Sequence, residues 1–291
     1  MIAADRIIDI GPGPGERGGQ IVFDGTPAAL KDATTLTGQY MGGRLKVEAP
    51  RPMPVADNTP RLILEGVTAN NLKNISVDIP LGRLVCVTGV SGSGKSTLIQ
   101  DVLYPALLKI MGKPTEAPGA FDRILGAEQL ADVVMVDQAQ IGKTARSNPA
   151  SYVGAFDSIR KLFAQALVAR ERGYTAGTFS FNSGDGRCPT CGGTGFEHVE
   201  MQFLSDVYIR CPDCDGKRFR PEVLEVQIEH LGRRASIDAV LNMTVSEALE
   251  FFKGLRDVQL GLAPLADVGL EYVKLGQPVP TLSGGEAQRL K

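Results

Sequence analysis

No run in the 291 residues approaches the roughly 20 consecutive apolar side chains that a membrane-spanning helix needs, so no membrane partner is expected. Residues 1–10 also lack the basic start and apolar stretch of a secretory signal, which points to the cytoplasm. Net positive charge is missing: 31 Lys plus Arg face 33 Asp plus Glu, so the chain as a whole does not present itself as a polyanion binder. Histidine is reduced to His198 and His230. Cysteine is sparse at five residues, yet four of them form two tight pairs, and in a reducing compartment such pairs favour metal over disulfides. The fifth, Cys86, lies in an apolar run and reads as a small buried hydrophobe. The 43% hydrophobic content is enough for one large or two medium domains with real cores.

Residues 1–45 read as short, glycine-punctuated elements, residues 7–10 leading into a Gly/Pro run at 11–15 and residues 20–26 forming a strand and turn, too small to fold well alone. Residues 46–60 read as a linker, because Pro50, Pro52, Pro54 and Pro60 withhold ladder donors. Strands are expected at 62–67 and, as an alternating edge, at 75–79. A continuous apolar strand at 84–89 runs into a glycine loop, a helix follows at 96–108, and a second buried strand lies at 133–137. Asn148 and Pro149 read as a helix cap and first turn, ahead of Val153, Phe156, Ile159, Phe163 and Leu167 at helical spacing. Thr244 and Glu247 form a capping-box pattern for a helix through Phe252 that ends at Gly254.

Three strings carry chemistry. Residues 89–96 fit G-x-x-x-x-G-K-[ST], here Gly89, Ser91, Gly92, Ser93, Gly94, Lys95 and Ser96 around Val90, with Thr97 opening the helix. Its glycines let successive backbone N–H groups converge on one anion, and the following helix adds its positive end. Lys95 is placed to reach the outer phosphates of ATP and the Ser96 hydroxyl to ligate Mg²⁺.

The second string is Cys188-x-x-Cys191 and Cys211-x-x-Cys214, with 19 residues between the pairs, which lies inside the zinc template. Four thiolates suit tetrahedral Zn²⁺ and leave no open position for water, so the metal would be structural and residues 192–210 a projecting hairpin. A redox pair or unbridged thiols is the alternative. His198 is a ligand only in place of a cysteine and otherwise a surface histidine. Residues 143–234 hold 13 Lys plus Arg against 11 Asp plus Glu, a basic tilt toward nucleic acid or an ordinary solvated surface.

The third string is Leu282, Ser283, Gly284, Gly285 and Glu286, which places a hydroxyl and backbone N–H groups at a helix start. With the P-loop and Gln138 after a strand, it resembles the ATP-binding-cassette (ABC) ATPases. A narrower resemblance is to the UvrA family, the DNA-damage-recognition subunits of bacterial nucleotide excision repair. It rests on residues 136–138, 141–152, 186–188, 203–208 and 281–289, and on residues 4–13 as the end of a first cassette.

That resemblance implies an α/β P-loop ABC cassette, incomplete here, with a mostly helical signature insertion carrying the four-cysteine zinc module. It divides the chain into the tail of a preceding cassette (1–45), the linker (46–60), the P-loop core of a second cassette (61–142), a signature insertion (143–275, zinc module about 186–220) and a signature segment (276–291). Gln138 becomes the loop glutamine sensing Mg²⁺ and the γ-phosphate; Lys143 and Arg146 become DNA contacts, ordinary surface cations being the alternative. The implied partners are damaged double-stranded DNA bound without sequence preference, a second copy in the full-length protein, and UvrB, within the excinuclease system and its SOS response. The segment 196–200 is more acidic than the family pattern, and Pro189 and Pro212 stand where acidic residues are common.

No apolar strand ending in Asp-Glu follows the signature, and no switch histidine can be assigned. The expectation is a polypeptide that alone binds ATP weakly and hydrolyses it negligibly. Other readings are an ABC transporter ATPase, a zinc-organised adaptor without hydrolysis, and a UvrA-like paralogue for self-resistance to DNA-binding drugs. The 194 positions from Gly89 to Ser283, with a zinc module among them, are out of keeping with a transporter.

Overall fold

The computed structural model describes residues 1–48, 53–137, 141–142, 146–199 and 207–291; the side chains of Glu16, His198, Val199, Val207 and Tyr208 are outside the description. The chain forms two compact units, Val47–Asp137 and Met1–Lys46 with Gln138–Lys291.

In the first unit the strand Arg61–Val67 is central, flanked by Ile75–Pro80 and Arg123–Leu125, both antiparallel to it. Among the described residues Ile75–Pro80 is an edge strand, as expected. Period-two alternation turns Leu62 and Leu64 inward, and these pack with Leu98, Val102, Leu103 and Leu107 of the helical segment after the glycine loop. That segment runs through Thr97–Leu103 and Tyr104–Ile110. Its first part is widened, the Tyr104 N–H reaching back to Ile99 O. Pro105 supplies the reason: it has no N–H for Asp101 O, which instead accepts from Gly119 N–H at 2.8 Å.

The apolar runs 84–88 and 133–136 are not strands. Leu84 is 95% exposed, Val134 is 79% exposed, and Cys86 is exposed rather than buried. An apolar run becomes a buried strand only where neighbours supply ladder partners on both sides, and among the described residues neither run has one.

The second unit opens with a hairpin, Ile7–Gly11 paired antiparallel with Gln20–Gly25. Two short helices follow, Pro27–Asp32 and Leu36–Met41, capped by Thr26 and Thr35. The rest is mainly helical around one aromatic core. Asn148 caps Pro149–Tyr152 by accepting from Ser151 N–H at 3.0 Å. The helix Ala155–Gln165 buries Phe156, Ile159 and Phe163 and lies against Arg256–Asp267. The two approach so closely that a Cβ on Gly261 would fall 2.9 Å from Ala155 Cβ. The apolar stripe is shorter than its spacing predicts. Gly154, at φ 76°, separates Val153 from the helix, and the extended backbone of Ala166 starts a new helix, Leu167–Glu171, that leaves Leu167 73% exposed. The expected capping box is present: Glu247 N–H donates to Thr244 Oγ1 at 3.2 Å, and Thr244 N–H to Glu247 Oε2 at 2.8 Å, opening Val245–Phe251.

Phe163 is fully buried with its ring 5.4 Å from that of Phe179. Phe163→Ala is therefore expected to destabilise this unit by about 3–5 kcal/mol. A urea titration with an unchanged slope and a lowered midpoint is the expected readout.

Candidate nucleotide loop, four-cysteine centre and signature helix

The glycine loop is held from outside as well as by its own turns. Ser93 N–H donates to Val90 O at 3.2 Å, and Leu98 N–H to Gly94 O at 2.9 Å, where the helix begins. Asn71 Nδ2 donates to Gly92 O at 3.0 Å, and Asn70 Nδ2 to Thr97 Oγ1 at 3.3 Å. Gly94 has φ 97°, and a Cβ there would lie 2.6 Å from Leu72 Cδ2 and 2.9 Å from Asn71 Oδ1. Only glycine satisfies both that backbone and that approach. Lys95 Nζ donates to Gly89 O at 2.9 Å and to Val90 O at 2.7 Å, so the ammonium is folded back over the loop it would share with a phosphate. Gln138 lies outside the described residues. The two asparagines had no signal in the sequence, because the P-loop pattern says nothing of residues some 20 positions upstream.

The four cysteines come together. Their Sγ atoms all lie within 4.8 Å of one another, with Cys188–Cys211 at 3.9 Å and Cys191–Cys214 at 3.7 Å. Tetrahedral coordination at a Zn–S distance of about 2.3 Å places sulfurs about 3.8 Å apart, so the donor set and its spacing fit Zn²⁺. None of these cysteines is in a disulfide. The two knuckles mirror each other. Cys188 N–H donates to Arg218 O at 2.9 Å, and Cys211 N–H to Gly195 O at 3.0 Å. Gly195 N–H points to Cys191 Sγ at 3.3 Å, and Arg218 N–H to Cys214 Sγ at 3.4 Å. The Thr190 hydroxyl donates to Asp213, joining the two turns. Burial acts to raise the Cys191 thiol, but the Gly195 and Gly193 N–H groups and the neighbouring thiols outweigh it and bring it down to about 7. Burial pushes the Cys214 thiol up to about 12. Between the knuckles in the chain, Phe196–Val199 pairs antiparallel with Val207–Arg210; residues 200–206 lie outside the described residues.

Arg146 is half-buried rather than a free surface cation. Its Nη2 donates to Gly192 O of the first knuckle at 3.1 Å, and it lines a cavity of about 610 Å³ with Asn148, Tyr152, Asn182 and Thr194. Lys143, its predicted companion, lies outside the described residues.

The signature forms the start of the helix Gly284–Leu290, with Ser283 as its cap. Ser283 N–H donates to Glu286 Oε2 at 2.7 Å, and Glu286 N–H to Ser283 Oγ at 3.3 Å. This second capping box was readable as S-x-x-E and was missed. Glu286 Oε1 accepts from the Tyr272 hydroxyl at 2.7 Å. Burial acts to raise the Glu286 carboxyl, but the Tyr272 and Ser283 donors hold it below the usual carboxylate range. A Cβ on Gly284 or Gly285 would meet nothing within 4 Å, so packing within the chain does not require either glycine. Leu282 is partly buried against the aromatic core.

No protein-family profile matches the chain. Individual proteins do. UvrABC system protein A of Staphylococcus aureus (strain COL) is 50% identical over 293 residues, covering 100% of this chain and 30% of that protein. The Thermus thermophilus protein of the same name is 50% identical over 292 residues, again covering 100% of this chain and 30% of its own length. Among solved structures, UvrA2 from Deinococcus radiodurans superposes with a TM-score of 0.87 at 45% identity, covering 99% of this chain and 34% of that one. The chain thus spans about 30% of the length of the curated relatives it matches, and that structure supports an α/β ABC ATPase fold. In sequence and in fold, along its whole length, the chain is similar to UvrA proteins.

Proposed function

We propose that this chain is part of an ATP-dependent DNA-damage-recognition protein of nucleotide excision repair. It runs from the tail of one cassette (1–45) through a linker (46–60) into the P-loop core (61–142), insertion (143–275) and signature (276–291) of a second. The carrying observation is that 50% identity extends over the whole chain, with glycine loop, cysteine knuckles and signature in one collinear order. Lys95 and residues 89–94 hold the ATP phosphates, Ser96 and Gln138 serve Mg²⁺, and the signature glycines face the nucleotide of the other cassette. Their open space supports that role: Gly284 and Gly285 leave backbone N–H groups approachable by a partner's phosphates. Zn²⁺ at Cys188, Cys191, Cys211 and Cys214 is structural. Lys143 and Arg146 contact phosphates, which gives affinity without sequence information and suits a protein that must find lesions anywhere. In the full-length protein the partners are a second copy and UvrB.

The test is fluorescence anisotropy with duplexes that differ only in one bulky lesion, with and without ATP, across a salt series. Sequence-independent binding that favours the lesion and falls steeply with salt is expected. Arg146→Ala should weaken all duplexes alike and lower the log–log salt slope by about 1. Zinc-dependent binding indifferent to both lesion and ATP would make the chain an adaptor instead.

A further inference from the structure

The two cysteine knuckles are built alike, and one position breaks the likeness. Four residues after its second cysteine, each knuckle turns through a left-handed residue whose N–H points at that cysteine's sulfur. In the first knuckle this is Gly195, φ 77°; in the second it is Arg218, φ 72°. Glycine is the natural occupant of that backbone, and an arginine there is disfavoured by its Cβ. Something must require the side chain.

The side chain is only 3% exposed, among the few buried polar groups of the described residues. Its guanidinium lies over the Phe181 ring, 5.1 Å from the centroid, and its Nη2 donates to Gly276 O at 2.8 Å. Nη1 has no acceptor among the described residues. A buried guanidinium without a carboxylate is costly unless another negative charge lies near. Four thiolates around a dication leave a net negative charge, and Arg218 is joined to that cluster through its own backbone. The other end of the side chain reaches the approach to the signature. Gly276 N–H is bonded to Leu241 O at 2.7 Å, Gln277 Nε2 donates to Thr281 Oγ1 at 3.4 Å, and Val279 N–H donates to Ser147 O at 2.8 Å. Residues 276–282 then deliver Ser283, the cap of the signature helix.

We propose that Arg218 is a positioning residue that links the metal centre to the signature: metal binding fixes the second knuckle, and the guanidinium passes that order to Gly276 and the segment leading to Ser283. This rests on the reading of the four cysteines as a Zn²⁺ site and extends it to the nucleotide-facing end of the fold.

The first knuckle suggests the test. Arg218→Gly gives the second knuckle the residue that the first already uses, so the metal site is kept while the link is cut. Zinc content by elemental analysis and hydrogen exchange of residues 276–283 are read on the whole chain, before and after a chelator. The wild type should hold one zinc ion per chain, and chelation should speed exchange at 276–283 by about 10- to 100-fold. Arg218→Gly should still hold zinc yet exchange at the fast rate with metal present, with no further response to chelator. Arg218→Met, which keeps packing on Phe181 but has no donor, should behave as glycine does; Arg218→Lys, which keeps charge and one donor, should restore part of the protection. Zinc held normally with exchange at 276–283 indifferent to metal, or wild-type protection in Arg218→Gly or Arg218→Met, overturns the link alone. A wild-type chain that takes up no zinc overturns the metal reading and the link together.

Discussion

Cys211→Ser is expected to abolish zinc binding and to unfold residues 186–220. Cys211 is fully buried, its N–H is bonded to Gly195 O at 3.0 Å, and its sulfur lies 3.9 Å from that of Cys188. It thus takes part in both knuckles at once. A serine there replaces a soft thiolate by a hydroxyl that stays protonated, and a site of three thiolates no longer closes around the ion. Among the described residues, the buried side chains of 186–220 are Cys188, Cys211, Cys214, Arg218 and Phe219, so the knuckles rest mainly on the cysteines. Structural zinc contributes about 10–16 kcal/mol in isolated zinc-finger peptides, several times what one packed aromatic supplies. The effect should be local. Phe156 and Phe181, both outside that segment, hold their ring centroids 4.8 Å apart, and Phe163 and Phe179 hold theirs 5.4 Å apart, so the core has a footing that does not depend on metal. Metal content below a tenth of wild type, rapid proteolysis between 186 and 220, and a retained thermal transition for the rest of the chain are the expected results. A variant that keeps zinc and resists proteolysis would show that the thiols are not a metal site.

What could be read from the sequence was local. A cap is made by residues three apart, so Asn148 and the Thr244–Glu247 box were legible; the glycine loop and the two knuckles are likewise chemistry written over a few positions. The strand within 20–26 and the edge strand Ile75–Pro80 followed from turn residues and alternation, whereas the pairing of Gln20–Gly25 with Ile7–Gly11 did not. The failures share one cause. Hydrophobicity says that a run will be covered, not by what, so 84–88 and 133–136 read as buried strands when neither has a ladder among the described residues. Periodicity carried the stripe on to Leu167 because it does not register the extended backbone at Ala166. Arg218, Asn71 and Tyr272 were invisible for the complementary reason: each acts on atoms distant in sequence, Gly276, Gly92 and Glu286. An arginine among glycines reads as a surface residue until its left-handed backbone and buried head group are seen together.

Lys95→Ala is expected to weaken ATP binding by about 10- to 100-fold, the loss of one set of charge-assisted hydrogen bonds worth about 1.5–3 kcal/mol. The ammonium is at present satisfied by the Gly89 and Val90 carbonyls at 2.9 and 2.7 Å, both within the loop itself. A phosphate arriving in the cradle replaces those neutral acceptors with charged oxygens, so most of the lysine's contribution appears only on binding. For the same reason the substitution should cost the fold little. Lys95 is bonded to nothing beyond the loop in the described contacts, and the loop keeps its shape through Asn71 on Gly92 O and the helix anchored by Leu98, Val102 and Leu107. Ser96→Ala separates the metal from the phosphate: it should leave metal-free nucleotide binding near wild type and remove the increment added by Mg²⁺. Titration with a fluorescent ATP analogue, with Mg²⁺ and with EDTA, resolves the two. Equal affinity of Lys95→Ala and wild type in both conditions would mean that the glycine loop does not hold a nucleotide in this chain.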